Sequence, residues 1–302
     1  MIKRILFVLL ALSAGALPAS AKHHHHHGAA SASATPEETE IEASPRLGPD
    51  GIPITHAAAV LVLDARTGQV LYEKNADEHR APASTQKLLT GLIVAESGGL
   101  NETVTVDVSD TWAEPVKLNI QPGETYRRAD LLQIMLVHSV NDVARCLARD
   151  NAGSIDAFAG KMNHKAALLG MTESHFVNPN GLPIPGQYST ARDMSKVAFA
   201  AYHNPLIRSI VCQKQVAFQY SDGRVRQFEN TNHVLRSYPF CNGMKTGYTD
   251  AAGHCLISSA SNGNRDVISV VLGDNGYVWK DSCALLEWGL SGGSASRIGS
   301  AN

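Results

Sequence analysis

Three short strings in this chain contain the residue types that a serine acyl-transfer site needs. They lie at 84–87 (Ser-Thr-Gln-Lys), 139–141 (Ser-Val-Asn) and 245–247 (Lys-Thr-Gly). A serine hydroxyl is a weak nucleophile until a neighbouring group takes its proton. On a helix, a lysine three residues after a serine lies over the same face. The spacing therefore predicts Ser84 as a nucleophile and Lys87 as its base.

Lys87 can act as a base only when it is neutral. Its pKa must therefore fall well below the ordinary lysine value of about 10.4, which burial and a neighbouring cation can achieve. Lys245 is the candidate cation. Ser139 supplies a hydroxyl that can relay a proton to a leaving amine, and the Asn141 amide can hold both Lys87 and a substrate carbonyl. These residue types predict a four-residue catalytic group: Ser84, Lys87, Ser139 and Asn141.

The third string is suited to binding an anionic substrate group. Lys245 offers a positive charge and Thr246 a hydroxyl, and both can hold a carboxylate. Gly247 permits a close approach of the backbone. Backbone N–H groups at the start of the helix that carries Ser84 are natural donors to a developing oxyanion. The carboxylate-binding groups of the third string thus predict a substrate that is an acyl donor and bears a carboxylate.

The hydrophobic pattern predicts elements that can position these strings. The predicted helices run from 84 to the Gly98-Gly99 pair and over 130–137, 142–149, 155–169, 192–202 and 280–290. The predicted strands cover 57–64, 69–74, 211–220, 225–229, 243–249, 255–261 and 267–273. Strands at both ends with helices between them indicate an α/β (α+β) fold. We expect a central antiparallel sheet of about five strands from both chain ends, flanked by helices, plus an all-helical region.

The two ends of the chain differ in composition from its centre. Residues 1–21 combine a basic start, an apolar run and a small-residue end, which is typical of a cleavable secretory signal. Residues 22–53 contain a histidine tract at 23–27 and are otherwise rich in small and polar residues, so we expect a disordered linker. The catalytic domain is predicted over 54–290, followed by a flexible tail at 291–302.

Composition also limits the partners. A net charge of −2 argues against nucleic acid, because phosphate binding needs a basic face. No segment after the leader has the roughly 20 apolar residues of a transmembrane anchor. The five cysteines form no metal-binding motif and leave open either up to two disulfides or free buried thiols. We expect no metal and no cofactor. The tryptophans are expected to pack in the core or on the rim of the domain: Trp112, Trp279 and Trp288.

The three strings resemble those of the penicillin-binding protein and serine β-lactamase superfamily. The segments 81–87, 175–182 and 243–249 further resemble the low-molecular-mass D-alanyl-D-alanine carboxypeptidases, and the match covers roughly 55–290. The resemblance implies a serine β-lactamase/DD-peptidase-like fold.

The resemblance also implies a role for each matching residue. Ser84 would be the acyl-enzyme nucleophile, Lys87 its general base, and Ser139 with Asn141 the second catalytic element. The substrate-binding residues would be Lys245, which anchors the terminal carboxylate, with Thr246, Gly247 and Tyr248. The backbone N–H groups of Ser84 and Tyr248 would form the oxyanion hole.

Two departures from the family pattern concern Tyr248 and the chain end. Some carboxypeptidases of this family carry histidine after Lys-Thr-Gly, where this chain has Tyr248. Many add a C-terminal β-domain and an amphipathic anchor, whereas this chain ends in the short polar segment 291–302.

The resemblance predicts an exported serine-type D-Ala-D-Ala carboxypeptidase in the periplasm or cell-wall space. Its partners would be peptidoglycan stem peptides and β-lactam antibiotics. A β-lactamase is disfavoured, because the loop 178–186, which would form a wall of the cleft, has no acidic residue to activate water. A DD-endopeptidase of the same fold and a non-catalytic, secreted peptidoglycan-binding protein remain alternatives.

Overall fold

The computed structural model describes residues 46–293 of the chain. The predicted signal at 1–21, the histidine tract at 23–27 and residues 294–302 of the predicted tail lie outside this part. Those predictions stay predictions.

Residues 46–53, the last part of the predicted linker, are among those described. Leu47 and Pro53 pair across an isolated antiparallel bridge, and Ile52 packs against a buried apolar cluster on the sheet. The proposed boundaries at 54 and 290 remain predictions.

The core of the fold is a five-stranded antiparallel sheet. Its first two strands form a hairpin, β1 (Ala59–Asp64) and β2 (Val70–Lys74). The other three come from the end of the chain: β7 (Cys241–Thr249), β8 (Gly253–Ser261) and β9 (Asp266–Asp274). The strand order is β2-β1-β9-β8-β7. The predicted antiparallel sheet built from both chain ends is therefore confirmed, and β7 lies at one edge.

Helices cover both faces of the sheet, so the strands in its middle are apolar along most of their length. Successive residues of a strand point to opposite faces. On one face, Val60 and Val62 of β1 join the cluster that contains Leu285 of the last helix, α8 (Val278–Leu290). On the other, Leu61 and Leu63 join the larger core formed with the helical region. The site lies at the β7 edge, on the face of the sheet that packs against the larger core and its helical region.

The predicted helices are present with small differences at their ends. Besides α8, they are α1 (Lys87–Glu96), α2 (Arg128–His138), α3 (Asn141–Ala152), α4 (Ile155–Leu168) and α5 (Ala191–His203). A 3-10 helix, Ala83–Gln86, leads directly into α1. Another 3-10 helix spans Val108–Thr111.

One strand prediction was partly wrong, and several short elements were missed. The stretch 211–220 was predicted as one strand, but its start belongs to α6 (Pro205–Val211), and the strand is only β5 (Gln215–Gln219). The helix begins where the Asn204 side chain caps it and proline takes its first position. β6 (Val225–Glu229) pairs with β5 as predicted. The missed elements are β3 (Thr103–Thr105), β4 (Thr125–Arg127) and α7 (Val234–Ser237).

All five cysteines lie in the described part of the chain and are free thiols. Burial raises the pKa of Cys241 and of Cys255 to about 11 each, and that of Cys283 to about 12. Thiols with such pKa values are poor nucleophiles at neutral pH. Of the two alternatives, the structure has free thiols, of which those of Cys146 and Cys255 are buried.

Between residues 46 and 293, no helix is both long and apolar enough to cross a membrane. Over the same residues, no group of three or more histidine, cysteine or acidic side chains is arranged to hold a metal ion.

Candidate active site

Ser84 and Lys87 meet at the start of α1. Ser84 lies in the 3-10 helix Ala83–Gln86, where side chains three residues apart are eclipsed. The Lys87 Nζ lies 2.7 Å from the Ser84 Oγ. Ser84 is partly exposed, whereas Lys87 is fully buried. The serine is therefore open to a substrate, with the lysine directly behind it.

The Lys87 amine has two further oxygen neighbours. Its Nζ lies 2.7 Å from the Asn141 Oδ1 and 2.7 Å from the backbone oxygen of Asn180. Neither oxygen can donate a hydrogen bond, so each accepts one from the amine. A neutral amine has two N–H groups and one lone pair. With both N–H groups directed at these oxygens, the lone pair is left for the hydroxyl hydrogen of Ser84.

The second string forms the junction between α2 and α3. Ser139 ends α2 in the left-handed region with φ 67°, and Asn141 begins α3. The Asn141 Nδ2 donates to the backbone oxygens of Pro115, at 2.9 Å, and Glu114, at 3.3 Å. These bonds fix the orientation of the amide, so that its oxygen points at Lys87.

The third string lies on the edge strand β7. The Lys245 Nζ donates to the Ser139 Oγ at 2.8 Å and to the Thr246 backbone oxygen at 3.1 Å. The side chain of Lys245 is buried. The Oγ1 atoms of Thr246 and Thr231 are 2.6 Å apart. The third string therefore brings an ammonium group and hydroxyls together beside Ser139.

Two glycines allow the surrounding backbone to approach the serine closely. A Cβ at Gly247 would lie 2.8 Å from the Ser84 backbone nitrogen and 2.9 Å from the Ala83 Cβ. A Cβ at Gly181, where φ is 88°, would collide with the backbone oxygen of Ala83. Any larger residue at either position would push β7 or the loop 178–186 away from Ser84.

Burial shifts the pKa of both site lysines downward. The pKa of Lys87 lies well below its ordinary value, first because the side chain is desolvated and second because Lys245 is a neighbouring cation. Asp142 opposes this shift, while its carboxylate accepts from the backbone N–H groups of Leu118 and Asn119. Burial also lowers the pKa of Lys245 to about 7. The expected cause of a neutral Lys87, burial beside Lys245, is therefore present.

Tyr248 lies at the outer end of the site. Its side chain is 56% exposed, its ring contacts that of His254 with centroids 4.6 Å apart, and its hydroxyl donates to Asp250 at 3.1 Å. The ring is therefore largely open to solvent. The backbone of β7 faces the Ser84 segment.

Sequence reasoning missed two contributors to the site. The backbone oxygen of Asn180 accepts from Lys87 and lies 3.2 Å from the Ser84 Oγ. Thr231 contributes the second hydroxyl beside Thr246. A backbone carbonyl has no residue-type signature, and Thr231 lies outside all three strings. The loop 178–186, rich in proline and glycine, was the one sequence feature that placed Asn180 near the cleft.

The fold and the site together define a serine peptidase of the acyl-transfer class. Residues 49–276 match the D-alanyl-D-alanine carboxypeptidase family. The chain belongs to this family.

Named relatives and solved structures give the same family. The D-alanyl-D-alanine carboxypeptidase DacB2 of Mycobacterium tuberculosis is 35% identical over 257 residues, which cover 82% of this chain and 87% of that protein. A D-alanyl-D-alanine endopeptidase of Pseudomonas aeruginosa is 34% identical over 260 residues, covering 83% of each protein. The chain spans 62% of the length of the Escherichia coli carboxypeptidases DacA and DacC.

Among solved structures, a penicillin-binding protein homologue from Mycobacterium tuberculosis superposes with a TM-score of 0.77 at 33% identity, over 86% of this chain and 99% of that one. The fold prediction is confirmed by this similarity.

Proposed function

We propose that the protein is an exported serine-type D-Ala-D-Ala carboxypeptidase that removes the terminal D-alanine from peptidoglycan stem peptides. The observation that carries this proposal is the set of contacts around Lys87. Its amine meets the Ser84 hydroxyl and two oxygens that can only accept, each at 2.7 Å. This arrangement suits a neutral lysine acting as a base.

In the acylation step, Ser84 Oγ attacks the carbonyl carbon of the penultimate D-alanine while Lys87 takes the hydroxyl proton. Charge develops on the carbonyl oxygen, which the backbone N–H groups of Ser84 and Tyr248 would stabilise. The C–N bond then breaks. The proton that Lys87 took would pass through the Ser139 hydroxyl, which Lys245 contacts at 2.8 Å, to the leaving amine, so that Lys87 is neutral again. An acyl-serine ester and free D-alanine result.

In the second step, water attacks the ester carbon and gives a proton to the base, and the C–O bond to Ser84 breaks. The products are the shortened stem peptide and the regenerated hydroxyl. Because the acyl-serine can react with another nucleophile, a peptide amine in place of water would give transpeptidation.

The terminal carboxylate of the substrate would bind at Lys245 and Thr246. A charged donor and hydroxyl donors form strong hydrogen bonds to a carboxylate. Thr231 lies within hydrogen-bond distance of Thr246 and would orient its hydroxyl. β-Lactam antibiotics carry a carboxylate and a reactive amide, so the same groups would bind them and form a stable acyl-enzyme.

The three alternatives differ in what the site must contain. A β-lactamase needs a group that activates water, and the loop 178–186 beside Lys87 has no acidic residue. A non-catalytic peptidoglycan-binding protein would not require the two buried, hydrogen-bonded lysines, Lys87 and Lys245. A DD-endopeptidase remains the second candidate, because a relative of similar length carries that name.

Analysis of reaction products separates carboxypeptidase from endopeptidase. The purified protein is incubated with a stem pentapeptide and, separately, with a cross-linked muropeptide dimer. We expect release of D-alanine from the pentapeptide and little cleavage of the dimer. Faster cleavage of the dimer would establish the endopeptidase instead, and turnover of neither would contradict both enzymatic functions.

Acylation is expected to show a bell-shaped pH profile. The rate should rise as Lys87 loses its proton, at a pH well below the ordinary lysine pKa. It should fall as Lys245 loses the charge that binds the carboxylate. In kcat/KM, which reports the free enzyme, the falling limb is expected near pH 7, since burial lowers the pKa of Lys245 to about 7. A bound carboxylate favours the charged lysine, so in kcat this limb should lie at higher pH.

The variant Lys245→Arg tests that assignment. Arginine keeps its charge throughout this pH range, so the falling limb should disappear even if the maximal rate drops. Lys165→Arg, at a surface ion pair with Glu96, is the matched control and should keep the wild-type profile. A falling limb that stays in place in Lys245→Arg would show that another group causes it.

Export to the periplasm or cell-wall space is also part of the proposal. It rests on the composition of residues 1–21 and on the nature of the substrate, which lies outside the cytoplasm. The catalytic domain at 54–290 is also a proposal. It rests on the composition of the chain ends and on the family match over 49–276.

A further inference from the structure

Two exposed apolar side chains lie on the segment that contacts Asn141 through its backbone. Trp112 is 69% exposed and Val116 is 51% exposed. We name these two side chains the Trp112 ledge. Trp288, in contrast, is 4% exposed and belongs to the core. Trp288 therefore packs in the core, as expected. Trp112 instead presents most of its indole ring to solvent.

The backbone that carries Trp112 is firmly held. The preceding 3-10 helix has a capping box between Asp107 and Asp110, and the buried Asp110 carboxylate pairs with Arg149 at 2.7 Å. The Lys117 Nζ donates to the backbone oxygen of Thr111 at 2.9 Å. An exposed aromatic ring on a fixed backbone loses little conformational freedom when a ligand binds to it.

The same segment contacts the catalytic amide. The backbone oxygens of Glu114 and Pro115 accept from the Asn141 Nδ2, and that of Val116 accepts from the Asn141 backbone N–H at 2.8 Å. The ledge therefore lies on the segment that holds the Asn141 amide in place.

A short series of contacts connects Ser84 to the segment that carries the ledge. Contacts of 2.7, 2.7 and 3.3 Å connect Ser84 Oγ through Lys87 and Asn141 to the backbone oxygen of Glu114, and Trp112 precedes Glu114 by two positions in the chain. An extended peptide advances about 3.3–3.6 Å per residue. Residues that precede the terminal dipeptide of the substrate therefore have the length needed to span from Ser84 to this segment.

We propose that the Trp112 ledge is a binding subsite for the aliphatic part of the stem peptide that precedes D-alanyl-D-alanine. This inference rests on the proposed function, because it assigns the substrate of the same site. Packing methylene groups on the indole face removes apolar surface from water on both partners. The subsite distinguishes a long stem peptide from a short dipeptide that has the same reactive end.

Kinetics with two substrates test the subsite. The variants are Trp112→Ala and Trp112→Phe, and the substrates are L-Ala-γ-D-Glu-L-Lys-D-Ala-D-Ala and acetyl-D-Ala-D-Ala. We expect Trp112→Ala to lower kcat/KM for the pentapeptide about tenfold while leaving the dipeptide within about twofold. Trp112→Phe should restore most of the loss. Leu168→Ala is the matched control, because Leu168 is also 69% exposed but lies on α4.

Three results would overturn the inference. The first is an unchanged pentapeptide rate in Trp112→Ala. The second is an equal loss of rate on both substrates, which would indicate a disturbed Asn141. The third is a loss confined to a disaccharide-linked pentapeptide, which would identify a sugar as the occupant.

Binding measured without turnover separates this inference from the proposed function. Calorimetry on Ser84→Ala and on Ser84→Ala/Trp112→Ala should show pentapeptide Kd values that differ about tenfold. Such a difference would hold even if the wild-type protein released no D-alanine, a result that would contradict only the proposed function. Equal Kd values would contradict the subsite.

Discussion

Replacing Ser84 with alanine is expected to abolish the acyl-enzyme. The substitution removes the oxygen that forms the ester, and Lys87 cannot take its place, because its own amine is directed at Asn141 and Asn180. Labelling with a fluorescent penicillin, followed by mass measurement of the intact protein, should give a stoichiometric adduct with wild type and none with Ser84→Ala. Release of D-alanine should be lost together with labelling.

The fold should tolerate this change, since Ser84 is partly exposed and loses a single oxygen atom. The thermal unfolding temperature should therefore stay close to that of wild type. Ser97→Ala, at the far end of the helix that follows Ser84, is the matched control and should label normally. An adduct of full stoichiometry on Ser84→Ala would place the nucleophile elsewhere.

Replacing Lys87 should give the second largest effect. Lys87→Met keeps most of the buried volume but removes the amine, so Ser84 would lose the group proposed to take its proton. General-base catalysis contributes about 10²–10⁴-fold, and we expect acylation by penicillin and by peptide to slow by at least that range. Stopped-flow measurement of the acylation rate quantifies the loss.

Lys165→Met is the control for a lysine-to-methionine change, since Lys165 forms a surface ion pair with Glu96 and should leave acylation unchanged. Methionine at 87 also removes a buried amine whose charged form is disfavoured there, so the variant should remain folded. An acylation rate within about tenfold of wild type would require a different base.

Much of the sheet could be predicted from local signals. The hairpin β1–β2 follows from turn residues at 65–68, and β8–β9 from Asn262-Gly263, because such residues favour tight turns between strands. Short elements such as β3, β4 and α7 escaped prediction, since three or four residues carry too little periodicity. The start of 211–220 was misassigned because an apolar stretch can suit either a helix end or a strand.

By itself, the sequence determined the fold class and the three strings that converge on Ser84. Residue type and order are sufficient there, because a nucleophile, a base and a cation have recognisable side chains and their spacing follows helix and strand geometry. The tertiary structure decided what those groups can do. The burial that depresses the pKa of Lys87 and Lys245, and the Asn180 carbonyl that orients the amine, depend on segments distant in the chain. Desolvation and hydrogen-bond direction arise only when these segments pack together, so no local pattern encodes them.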